Sequence, residues 1–85
     1  MEYVFSRHSI EQMEFRNISR KLVEAALDNP DEILNYFGKK VYQSLFVSKG
    51  KKYLIRVFVN INVKPMKIIT VYKTSNIRKY YEGKI

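Results

Sequence analysis

This sequence predicts an α+β fold, and three observations carry that reading. Ser6 and Ser19 each stand before a stretch whose apolar residues recur at helical spacing. After Pro30 the apolar period drops from about 3.6 residues to 2, the change from helix to strand. The chain has 85 residues, room for one domain with a small core and no second module, so residues 1–85 are read as a single domain. The predicted layout is a short N-terminal strand, two helices, and a three- to four-stranded antiparallel meander, with the helices on one face of the sheet.

Tyr3-Val4-Phe5 reads as the short strand, and Ser6 as the N-cap of a helix running to about Arg16. Ile18-Ser19 repeats the signal, an apolar residue before a capping serine. The helix that follows, Arg20 to Asp28, carries Leu22, Val23, Ala26 and Leu27 on one stripe and is stopped by Asn29-Pro30. Ile33 to Phe37 adds a possible edge strand. Val41, Gln43, Leu45 and Val47 then alternate with Tyr42, Ser44 and Phe46, and Ser48-Lys49-Gly50-Lys51 suits a hairpin turn. The longest run places Tyr53, Ile55, Val57, Val59 and Ile61 on one face and Leu54, Arg56, Phe58 and Asn60 on the other. Bulk on both faces predicts a central strand. Asn62 to Pro65 makes the next turn. Met66 to Thr74 returns as a strand, with Ile69 and Val71 facing one way and Ile68, Thr70 and Tyr72 the other. Ser75 is the expected cap of a last short helix through Tyr81, with an extended tail as the alternative.

Hydrophobic residues make up 46% of the chain and aromatics 14%, a composition that argues for a folded domain over a disordered basic tail. With no cysteine, disulfides, thiolate metal sites and cysteine nucleophiles are excluded, which fits a reducing cytoplasm. The start lacks the pattern of a secretory leader, and no apolar run approaches the roughly 18 residues a membrane helix needs. A soluble cytoplasmic protein is expected. Charge divides sharply along the chain: residues 1–35 hold 4 Lys/Arg against 7 Asp/Glu, and residues 36–85 hold 12 against 1. The net charges are −3 and +11, which together give the +8 of the whole chain. A field of that sign attracts polyanions, so nucleic acid or an acidic protein is the expected partner.

Two constellations carry candidate chemistry. On the first helix His8, Gln12 and Arg16 fall at i, i+4 and i+8, opposite Ile10, Met13 and Asn17, with Phe15 partly covering that polar stripe. A histidine exchanges protons near neutral pH, and an arginine grips phosphate with two prongs. A solvated helix face with a capping histidine accounts for the same residues. On the strands Arg56 lies mid-run, with Thr70, Tyr72, Lys73 and Thr74 near the end of the last strand. A charge in a central strand is costly unless it is paired or reaches water. Either its stem lies over Leu54 and Phe58 at the rim, or Arg56, Lys73, Tyr72 and His8 surround one phosphate. The second arrangement is what ribose-assisted RNA cleavage asks for: proton acceptor, proton donor and fixed cations. Metal-dependent nuclease chemistry needs converging carboxylates, and the basic half offers only Glu82, so neither metal nor cofactor is expected. Lys49, Lys51 and Lys52 at the hairpin tip, Lys39 and Lys40 before a strand, and Arg78 and Lys79 beside Tyr80 and Tyr81 supply further positive charge.

Ser6-Arg7-His8, Gln12-Met13, Arg16-Asn17-Ile18-Ser19, Val23 to Leu27 and Ile68 to Tyr72 together resemble a family of small prokaryotic proteins catalogued as a domain of unknown function and grouped with the RelE/ParE-like toxins. Ile68 to Gly83 is also similar to the tail of BrnT-type toxins. The resemblance covers most of the chain and implies a RelE-like fold, ribosome-dependent or free mRNA endonuclease activity, and neutralisation by a cognate antitoxin. It maps the family's early histidine to His8 and the arginine before its Ile-Ser pair to Arg16. Two positions depart: Gln12 and Tyr72 stand where arginine is expected. The sequence therefore predicts a metal-independent endoribonuclease toxin. His8 or Tyr72 would transfer protons, Arg56 and Lys73 would hold phosphate charge, and Arg16, Lys49, Lys51, Lys52, Arg78 and Lys79 would bind RNA. The alternative is a non-catalytic module that binds nucleic acid or a protein target such as gyrase.

Overall fold

The computed structural model describes residues 2–81 and 83. In chain order the elements are β1 (Tyr3–Phe5), α1 (Arg7–Phe15), α2 (Arg20–Asp28), β2 (Glu32–Tyr36), β3 (Lys39–Ser48), β4 (Lys51–Asn60), β5 (Met66–Thr74) and α3 (Ile77–Tyr80). The fold is α+β, a five-stranded mixed sheet of order β1-β5-β4-β3-β2 with three helices. β2, β3, β4 and β5 pair antiparallel in succession, and β1 lies parallel to β5, with Tyr3 opposite Met66 and Phe5 opposite Ile68. β4 occupies the centre.

Capping chemistry fixes the helical layer. Ser6 Oγ accepts from the Ser9 N–H and Ser19 Oγ from the Leu22 N–H, each satisfying a donor that the first helical turn leaves open. Between the helices Asn17 adopts a left-handed φ of 55°. Its N–H reaches the Glu14 carbonyl while the Ile18 N–H reaches that of Met13, a Schellman closure with asparagine in the position usually held by glycine. That turn drives Ile18 into the core, where it joins Val23 one turn into α2.

The main apolar cluster lies on one side of the sheet, while Val41 and Leu54 are fully buried on the other. Ile18, Val23, Ala26 and Leu27 pack on Ile55, Val57, Val59, Ile68 and Val71, with Tyr42, Phe46 and Met13 at its margin. One side-chain assignment read from strand period is overturned here. Ile68, not Ile69, joins Val71 in the core, because the pairing shifts between Phe58 and Val59: Thr70 opposes Phe58 but Ile68 opposes Val59. Ile69 is the extra residue of a bulge, and an extra residue inverts the alternation beyond it. The last helix also differs from expectation, starting behind Asn76 rather than Ser75 and ending at Tyr80. Ile61 falls outside β4.

Both two-residue hairpins turn on positive φ at their two central residues, Phe37-Gly38 and Lys49-Gly50, the geometry that matches strand twist. Beyond β1, helix α1 serves as the lateral partner of β5. The Ser6 N–H donates to the Ile68 carbonyl, Gln12 Oε1 accepts from the Val71 N–H at 2.9 Å, and Arg16 Nη1 donates to the Val71 carbonyl at 2.8 Å.

Candidate functional site

The face of the sheet opposite α1 and α2 carries a row of polar side chains across four strands. Glu32 opposes Gln43, Gln43 opposes Arg56, and Arg56 opposes Tyr72. Side chains on directly opposed residues share a face, so all four are neighbours. Gln43 Nε2 donates to Glu32 Oε1 at 2.5 Å, Arg56 Nε donates to Gln43 Oε1 at 2.9 Å, and Arg56 Nη1 donates to the Tyr72 hydroxyl at 2.5 Å. Gln43 is fully buried and Arg56 is 7% exposed.

Helix α3 lays Tyr80 over this row. The Tyr80 ring centroid is 4.5 Å from Arg56 Cζ, the Phe58 and Tyr72 rings are at 5.3 and 5.6 Å, and the Tyr80 carbonyl accepts the second Gln43 N–H at 3.1 Å. Aromatic faces carry negative potential, so three rings offset part of the cost of burying the guanidinium. Among the described residues no carboxylate lies within ion-pair distance of it. A guanidinium has five N–H donors; Arg56 commits one from Nε and one from Nη1, which leaves donor capacity beside a cleft of about 420 Å³. Leu34, Tyr36, Phe58, Tyr72, Lys79 and Tyr80 line that cleft with Arg56. A roomier cleft of about 850 Å³ lies between β1, α1 and α2, but it is lined mainly by Tyr3, Phe5, Ile10, Met13 and Ile18 and brings only Glu14 and Arg20 as charges. Volume alone favours the second cleft; chemistry favours the first.

The structure brings Arg56 and Tyr72 together and disperses the rest of the expected set. Lys73 opposes Ile55, on the helix-covered side, and its Nζ lies 5.8 Å from the Tyr53 ring. Strand alternation puts Lys73 and Tyr72 on opposite faces, so one phosphate cannot meet both. His8 is exposed on α1, and its side chain makes no hydrogen bond, ion pair or ring contact among the described residues. Arg16 spends an N–H on Val71 and sits 6.0 Å from the Tyr72 ring, a brace beside the row. Phe15, at 92% exposure, covers nothing. Lys49, Lys51 and Lys52 cluster at the β3–β4 turn; Lys52 is four residues from Arg56, about 13 Å along the strand. Lys79 lines the cleft, whereas Arg78 borders a shallow pocket with Ser75, Asn76 and Ile77. Glu82 lies outside the described residues. Burial, with Glu24 and then Asp28 adding to it, raises the Tyr3 hydroxyl above its ordinary value, and burial followed by Asp31 and Glu32 does the same for Tyr81; neither supplies a phenolate near neutral pH.

Residues 5–73 match the family model of a domain of unknown function, DUF4258. This chain belongs to the DUF4258 family. No curated protein and no solved structure matches it significantly. The DUF4258 segment contains Glu32, Gln43, Arg56 and Tyr72 and ends before α3, so Lys79 and Tyr80 lie outside the matched region. Among the described residues of this DUF4258 chain no three His, Cys, Asp or Glu side chains converge on a metal position, and no helix is long and apolar enough to cross a membrane.

Gln43, Glu32 and Tyr80 escape a residue-by-residue reading. Two of them left a signal. Counting five residues back from Ser48 and five forward from Lys51 sets Gln43 opposite Arg56, and counting four from the Tyr36 and Lys39 pair sets Glu32 opposite Gln43. A two-residue turn fixes register, so the row was implicit in the spacing of two turns.

Proposed function

We propose that the open face of the sheet binds single-stranded RNA, with Arg56 holding a backbone phosphate. The observation that carries this reading is the Arg56 guanidinium: nearly buried, without a carboxylate in contact among the described residues, ringed by aromatics and facing a cleft with donors to spare. An anion completes that environment. The surrounding rings suit unpaired bases, which stack on aromatic faces whatever their sequence. The +11 charge of residues 36–85 supplies the long-range attraction.

The activity that fits such a site, given the likeness to RelE/ParE-like toxins, is metal-independent RNA cleavage by the toxin of a toxin–antitoxin pair, on the ribosome or off it. In that reaction the 2′-hydroxyl oxygen attacks phosphorus and yields its proton to a base, the P–O5′ bond breaks, and the leaving oxygen takes a proton. The products are a 2′,3′-cyclic phosphate and a 5′-hydroxyl. Arg56 would stabilise the phosphorane charge, and the Tyr72 hydroxyl, whose oxygen already accepts from Arg56, keeps its own proton to donate. An acidic antitoxin would cover the same basic face. The positions of His8 and Lys73, away from the cleft, favour a second reading, a binding module without catalysis.

Arg56→Met and Tyr72→Phe test both. Arg56→Met should fold and bind an RNA decamer about tenfold more weakly, with a shallower salt dependence. Tyr72→Phe should keep most of the affinity. In chelator, cyclic-phosphate products from the native chain that disappear in Tyr72→Phe support the nuclease; intact RNA with undiminished binding supports the module. RNA affinity insensitive to Arg56→Met overturns the site.

A further inference from the structure

We infer that the β2–β3 hairpin tip, Tyr36-Phe37, is a base-stacking platform that seats an unpaired base of the RNA whose phosphate lies at Arg56. The inference rests on the RNA reading of the open face and assigns that site a second contact point.

Three observations converge on Phe37. Its ring is 86% exposed, and its backbone φ of 48° lies in the left-handed region that aromatic residues rarely enter. The first central position of this turn type prefers Asn, Asp or Gly. In the isolated fold the residue therefore carries backbone strain and exposed apolar surface together, with no burial to offset either. Phe15, on α1, is as exposed, but its backbone is ordinary helix and it makes no ring contact.

The tip is also continuous with the cleft. The Phe37 ring meets Tyr36 edge-on at 4.7 Å, Tyr36 meets Phe58 at 5.6 Å, Phe58 stacks on Tyr72 at 6.0 Å, and Tyr72 meets Tyr80 at 6.2 Å. An unbroken aromatic track thus runs from the hairpin tip to the guanidinium. Lys39 opposes Tyr36 across the turn and shares its face, and Lys79 lines the cleft at the other end of the track. The turn is braced as well, since Asn62 Nδ2 donates to the Gly38 carbonyl at 3.4 Å. Rings interleaved with lysines on a basic surface match the chemistry of a single strand, in which bases present π faces and phosphates alternate with them.

The row of Gln43, Arg56 and Tyr72 lies four residues along the strand from the Tyr36–Lys39 pair, about 13 Å at a strand's rise per residue. A base on Phe37 and a phosphate at Arg56 therefore belong to different nucleotides of one extended strand. The substrate class is single-stranded RNA of several nucleotides, and a mononucleotide is too short.

The test is fluorescence anisotropy of the full chain with a uridine decamer and with an abasic decamer of the same length, using the native chain, Phe37→Asn and Phe37→Trp. Asparagine tolerates the left-handed backbone, so Phe37→Asn should melt no lower than the native chain. It should bind the uridine decamer about tenfold more weakly and the abasic decamer unchanged, while Phe37→Trp keeps or raises affinity for the uridine decamer. Uridine binding equal to the native chain in Phe37→Asn overturns the platform while leaving the Arg56 site standing, the outcome if the tip serves a protein partner instead. Equal weakening on both decamers also overturns it. A native chain that binds neither decamer overturns the platform and the RNA reading together.

Discussion

The two faces of β4 obey different rules. Ile55, Val57 and Val59 point to α1 and α2 and are sealed in an apolar core with no polar partner to satisfy. One residue out of step, Arg56 is nearly as buried but surrounded by hydrogen bonds and rings. The buried positions of the helix-covered face gain their stability from area removed from water and tolerate no unpaired charge, while Lys73 on that face lies exposed at its margin. The open face holds a charge because Gln43, Tyr72 and Tyr80 are arranged to receive it. Folding and binding thus draw on alternate residues of one strand.

Breaking the apolar side should have the largest effect. Val57→Asp places an unpaired carboxylate among residues with no exposure, a cost of order 5 kcal/mol or more, within the range of a whole small domain's stability. Cooperative thermal unfolding followed by circular dichroism should vanish. Breaking the polar row should cost less: Gln43→Ala leaves Arg56 Nε and the partners on Glu32 and Tyr80 without Gln43, and stability should fall by about 1–3 kcal/mol while the fold persists. Urea titration would measure it. The mildest change sharpens the contrast between the faces. Lys79→Ala removes a charge from the cleft and should weaken RNA binding several-fold, more than Lys73→Ala, which removes one from the other face. Equal losses would show that RNA reads net charge and not this cleft.

What could be read in the sequence was whatever local chemistry decides. Serine caps and the stop at Asn29-Pro30 set α2, and period set β3 and β4, because these signals act within a few residues. Arg56 stood out by its cost in a central strand. The bulge at Ile69 was hidden, since nothing in Met66 to Thr74 marks where an extra residue sits until β4 imposes its register. The place of Lys73 followed from alternation alone: grouping it with Tyr72 joined neighbours in sequence that strands send to opposite faces. Tyr80 over Arg56 is a tertiary contact across 24 positions, beyond any local rule.

The Gln12 and Arg16 contacts with Val71 have a further consequence. Where the resemblance expects arginine at both positions, only Gln12 can accept from a backbone N–H; the second arginine would leave that donor open. With both polar groups of Val71 taken by α1, another chain approaching this side to extend the sheet finds three residues of β1 and then a helix. Among the described strands the five residues of β2 form the longer outer border, at the far side of the sheet. The β5 side is thereby protected against strand addition, by a partner peptide or in the early growth of an aggregate, where it is covered by β1 and α1.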